Sequence, residues 1–179
     1  DTLIDSGVYP LDFRGMKTVG ISADYSWVIK NFNFFGEVAT SSYLWGISSV
    51  HGVLFSMDRR VSMSIVYRNY AKDYQTFYNA GFAEGGKTQN ERGLYAGLKL
   101  SLTRKFRVNT YIDVFKFPWM KYQVDGPSNG HEFMIQPSYS PKRGLTIYAR
   151  FREQRRQKNS YKGGGSITGL EDVIQRNYR

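Results

Sequence analysis

Cysteine is absent from this chain of 179 residues, which removes both a disulfide framework and a thiolate metal site. Histidine occurs only as His51 and His131, on different predicted hairpins and with no recognisable ligand partner, so no metal site is expected. No apolar run approaches the ~20 residues of a membrane helix. That excludes a helical membrane protein but not a membrane barrel, whose strands alternate and average out to a polar composition. An initiator methionine and a signal peptide are also missing, which reads as a chain processed or cut from something longer. A single basic stripe is lacking too. The net charge is +10, but Lys30, Arg59–Arg60, Arg104–Lys105 and Lys142–Arg143 occupy separate turns. The dense group Arg152, Arg155, Arg156 and Lys158 runs into Gly163–Gly165 and reads as a flexible loop. Dispersed charge of this kind argues against a nucleic-acid partner.

What is present is alternation. In Phe106–Val114 the residues Phe106, Val108, Thr110, Ile112 and Val114 face Arg107, Asn109, Tyr111 and Asp113 across the strand. Val61–Asn69 and Leu145–Arg152 repeat the scheme. Successive side chains of a strand point to opposite faces, so the chain has one polar and one apolar wall. Tight turns are predicted around Lys30–Asn31, Asp58–Arg60, Thr103–Lys105 and Pro141–Gly144, each between two alternating runs. The result is four hairpins and eight strands, most about the ~9–11 residues that cross a bilayer at a tilt. The opposite connections are mostly longer: Ala71–Arg92, with Tyr74, Phe77, Tyr78 and Gly85–Gly86, and Pro118–Gly130; Ser42–Leu44 is short.

A soluble lipocalin-like barrel keeps its apolar wall inside, and a membrane barrel reverses this. Three features favour the membrane. The apolar face carries no charge in the strand interiors, whereas Asp24, Glu37, Arg68, Lys99, Arg107, Asp113, Glu132, Arg150 and Arg152 share the other parity and are assigned to the lumen. The polar wall is rich in Ser, Gly, Asn and Tyr with charges of both signs, as suits an interior of hydrogen-bonded pairs. Aromatic residues gather at strand ends: Trp27, Phe32, Phe34, Phe55, Phe106 and Tyr139 near the turns, and Trp45, Tyr67, Trp119 and Phe133 near the loops. Two details fit poorly. Pro137 lies mid-strand, where proline marks an edge or bulge, and Trp45–Met57 alternates badly.

The segments Asn90–Tyr95 and Phe115–Gly130, with Asn33–Glu37, Tyr67–Tyr70 and Gln157–Asn159 in support, resemble Bacteroidota outer-membrane β-barrel proteins that carry an N-terminal helix-hairpin-helix segment. The resemblance runs from about Gly15 to Asn159. It implies an outer-membrane barrel of which this chain is part, lacking strands at one or both ends. The helix-hairpin-helix segment is not in this chain, so no DNA role carries over, and the resemblance supplies no enzymatic residues.

No catalytic constellation emerges from the residues. Asp113 and Glu132 could approach across neighbouring strands, but beside Arg107 and Arg150 they read as ion-pair partners rather than an acid/base pair. Nothing nominates a nucleophilic serine, and neither glycine cluster stands between a strand and a helix as a phosphate cradle would. Trp119, Tyr122 and Asp125 form a candidate outward docking loop. The expectation is one all-β domain over residues 1–179, an antiparallel up-and-down transmembrane β-barrel region without metal or cofactor. Its expected function is non-enzymatic, as a scaffold or accessory subunit of an envelope complex, in contact with outer-membrane lipid and other outer-membrane proteins. The alternatives are an outer-membrane channel or porin, and a soluble periplasmic barrel binding an apolar ligand.

Overall fold

The computed structural model describes residues 17–41, 45–75, 81–161 and 167–179. Among them there is no helix. The strands are β1 (Gly20–Ile29), β2 (Phe32–Ser41), β3 (Ile47–Asp58), β4 (Val61–Tyr70), β5 (Glu91–Ser101), β6 (Phe106–Phe117), β7 (Ser128–Lys142), β8 (Leu145–Tyr148), β9 (Phe151–Tyr161) and β10 (Ile167–Tyr178). They form one antiparallel up-and-down sheet in the order β1-β2-β3-β4-β5-β6-β7-β9-β10, with β8 also paired to β7. All four predicted turns are present. Lys30 takes a left-handed φ of 54° in the first and Gly144 one of 86° in the fourth, as turns this tight require. Ser42–Leu44, Phe77, Tyr78, Gly163–Gly165 and the segment before Lys17 lie outside the described residues.

The sheet differs from the expected eight strands at its C-terminal side. The arginine-rich run expected as a loop is strand β9, and β10 pairs with it along most of its length. β8 and β9 are one strand interrupted. Ile135 lies opposite Phe151 and Ser138 opposite Tyr148, so the register passes unchanged through Ala149 and Arg150. The break therefore faces Pro137 and Gln136, and a proline with no N–H to give accounts for the interruption in its neighbour while β7 itself continues.

The sheet is open, with β1 and β10 at its edges. Both run from the loop end to the turn end, so they cannot pair with each other as an antiparallel ladder. Antiparallel closure takes an odd number of further strands.

Cross-strand registers sort the side chains into two walls. One row runs Trp27, Phe34, Val53, Ile65, Ala96, Ile112 and Phe133, then becomes Glu153 and Arg176 on the last two strands. A row on the opposite face reads Val66, Tyr95, Asp113, Glu132, Gln154 and Gln175. The polarity of burial is the reverse of that in a water-soluble sheet. Arg68 and Glu91 are 0% exposed and Asp113 and Glu132 3%, whereas Leu94 and Val114 are 51% and Ile112 46% exposed. A single layer with no helix over it can bury one face only by curling around it and by laying a loop across it. The polar face is therefore the inner one.

Candidate functional site

The inner wall is organised around Arg68 on β4. Its neighbour across the sheet is Gly93, where any Cβ would overlap the guanidinium, so glycine is what lets the side chain lie flat against the wall. Arg68 Nε donates to Glu91 Oε1 at 2.5 Å, and its two terminal nitrogens donate to the Asp113 carboxylate at 2.9 and 3.1 Å. The forked guanidinium thus joins β5 to β6, a geometry that a lysine point charge cannot reproduce. Glu132, opposite Asp113, accepts from Arg152 at 2.6 Å, from Gln154 at 2.5 Å and from the Tyr111 hydroxyl. Arg68 thus serves Glu91 and Asp113 together, and Arg152 serves Glu132. The partners are Arg68 and Arg152, not the Arg107 and Arg150 expected from the sequence; Arg150 instead donates to Gln136 at 2.6 Å.

A loop closes over this network. The Glu84 and Gly85 amides donate to the Glu91 carboxylate at 2.9–3.0 Å. The Phe82 ring lies 5.1 Å from the Arg68 guanidinium and edge-on to Tyr95, and the Tyr70 hydroxyl donates to the Phe82 carbonyl at 2.9 Å. On the far side Glu84 Oε2 accepts from Arg156 at 2.5 Å and Gln154 at 3.2 Å, both on β9. Burial is the main influence raising the Glu84 carboxyl above the usual range, followed by the nearby Glu132 charge, while Arg156 opposes them. Residues 81–90 thus bridge the inner face from β4–β5 to β9. Gly85–Gly86, expected as flexible loop, supplies one of the amides that cap Glu91.

Asn90 ties this loop to the next. Its side chain donates to the Trp119 carbonyl and accepts from the Trp119 amide, both at 2.9 Å. Of the expected docking residues, Trp119 and Tyr122 line a cavity of about 490 Å³ between the two loops. Asp125 is exposed away from that cavity, its amide held by Asn159 at 3.0 Å. No protein-family model, curated protein or solved structure matches the chain.

The expected lumen residues all lie on the inner parity but not in one environment. Arg68, Asp113, Glu132 and Arg152 meet in the network. Glu37 is half-buried, and Asp24, Lys99, Arg107 and Arg150 are exposed toward the open edge or the turn end. At that end the inner face is hollow: Asn33, Ser62, Ser64, Lys99, Asn109 and Tyr111 line a second cavity of about 490 Å³. Sequence reasoning missed Glu84, Glu91, Gln154 and Arg156. Glu91 could have been found as the residue on Arg68's own parity at the start of β5. Nothing in the sequence announces that Glu84 turns inward. His51 and His131 lie on the outer face, and His51 Nδ1 meets the Tyr25 hydroxyl at 3.0 Å over Gly36.

Proposed function

We propose that this chain forms part of the wall of an integral bacterial outer-membrane β-barrel and acts as a non-enzymatic scaffold or accessory subunit of an envelope complex. The observation that carries the reading is the inverted polarity of the sheet. A face of Phe34, Ile65, Leu94, Ile112, Val114 and Phe133 left to water would be an apolar patch well beyond what soluble monomers tolerate. Facing lipid, the same residues need no further cover, and the backbone groups of a closed sheet are all paired. Trp27, Phe32, Phe34, Phe55, Phe106 and Tyr139 share the outer parity near the turn end, where an interfacial girdle would sit. The exposed Lys30, Arg59, Arg60, Arg104, Lys105, Lys142 and Arg143 would meet anionic headgroups on the periplasmic side. The resemblance to Bacteroidota outer-membrane barrels points the same way.

The subunit role rests on β9 and β10. Their outer face carries the cross-strand pairs Glu153–Arg176 at 2.7 Å and Arg155–Asp172, where the other strands carry apolar residues. Charges facing mid-bilayer lipid cost roughly 2–4 kcal/mol for an arginine, so this part of the wall suits contact with another protein. A channel is less well supported, because residues 81–90 and the ion network fill the loop-end half of the inner face. A soluble barrel for apolar ligands would need an apolar inner wall, and the inner wall here holds Arg68, Glu91, Asp113 and Glu132. Electrophoresis of detergent-extracted protein with and without boiling tests the reading. A heat-dependent shift is expected, and a protein that stays in solution without detergent and runs alike in both lanes would overturn it.

A further inference from the structure

The cavity between the two long loops combines positive charge with aromatic walls. Lys72 Nζ stands 4.2 Å from the Trp119 ring centroid, and Lys121 Nζ stands 3.2 Å from that of Phe117. Neither ammonium has a carboxylate partner among the described residues. Arg156 also lines the cavity, and Glu84, the one carboxylate among its described lining residues, is already engaged by Arg156 and Gln154. An excess of cations therefore converges on a space of about 490 Å³, within the size range of small-ligand sites. Phe117 and Arg156 belong to the inner parity, so the cavity opens into the mouth at the loop end and not onto the apolar outer face.

We propose that this cavity binds a small soluble phosphorylated ligand of sugar size, its phosphate held by Lys72, Lys121 and Arg156 and its body lying against Trp119 and Phe117. Lysine and arginine together suit a phosphate, as point charge and as planar fork. Burial, then the Arg156 charge, lowers the Lys121 ammonium to about 8, and the charge of a bound dianion would oppose both. The proposal does not depend on which wall of the sheet meets lipid, so it can fail while the membrane reading stands, and the reverse.

The test is titration of the intact detergent-extracted protein with glucose 6-phosphate, followed by calorimetry and tryptophan fluorescence. Glucose, and vesicles containing phosphatidic acid, serve as the other arms. Saturable binding of glucose 6-phosphate is expected, with none of glucose and a loss of about tenfold in each of Lys72→Gln and Lys121→Gln, or roughly 1.4 kcal/mol. Far-ultraviolet circular dichroism checks that each variant is folded, and Lys72, on the loop surface, gives a second reading if Lys121→Gln misfolds. Absence of saturable binding, equal binding of glucose, indifference to both substitutions, or binding to the vesicles alone would each overturn the proposal.

Discussion

Arg68→Met removes the one cation that serves two buried carboxylates, and the size of the loss can be worked from their remaining partners. Glu91 keeps the Glu84 and Gly85 amides at 2.9–3.0 Å. Asp113 loses both of its side-chain bonds, at 2.9 and 3.1 Å, and is left opposite Glu132. Breaking a buried pair from one side costs roughly 3–5 kcal/mol, because an uncompensated charge stays behind. Most of that cost falls on Asp113, so Arg68→Met combined with Asp113→Asn should recover at least half of it. Urea unfolding in detergent, read by tryptophan fluorescence, measures both variants. A loss below about 1 kcal/mol for Arg68→Met, or no recovery on adding Asp113→Asn, would mean that the network is solvated and holds nothing together.

Gly93→Val should reproduce much of the Arg68 defect in the same urea titration, since its side chain occupies the guanidinium's place; a neutral result would contradict the flat packing of Arg68. Lys121 should titrate near 8 instead of its ordinary 10.5 by NMR of labelled lysine side chains, with burial and then Arg156 lowering it and Glu91 and Glu84 opposing. Because the folded protein gives up this proton first, stability should rise with pH between those two values, and a midpoint at the ordinary value would refute the burial. Replacing Glu153 and Arg176 by leucine should leave the heat-dependent gel shift intact while abolishing cross-linking to a neighbour in whole envelopes. Unchanged cross-linking would refute a partner on β9–β10.

The parity of the strands from β1 to β8, β3 excepted, was legible because the apolar face carries no charge in the strand interiors. The same criterion failed at β9. Arg152, Gln154 and Arg156 face inward, but Glu153 and Arg155 face outward, so charge on both parities erased the alternation. β3 alternates badly for a different reason. Gly52 stands where a side chain would strike the Phe35 ring, and His51 pairs with Tyr25, so both irregular residues answer to neighbours in other strands. The loop over the ion network was the least legible part. Its course depends on Glu84 reaching β9, a contact between residues 70 and 72 positions apart that no local pattern encodes. The residues expected in a lumen share the inner face of the sheet, but their partners were not legible, since register pairs Asp113 with Glu132 while the cations arrive diagonally.

The central claim is that the apolar wall faces lipid, and paired arginine substitutions test it most directly. Ile112 is exposed on the outer face and Asn109 lies on the inner one. On a water-facing surface Ile112→Arg would be nearly neutral, whereas against lipid it should cost roughly 2–4 kcal/mol. The account predicts that Ile112→Arg sharply reduces the heat-modifiable protein recovered from outer membranes while Asn109→Arg is tolerated. Equal recovery of the two, or greater loss with Asn109→Arg, would contradict it.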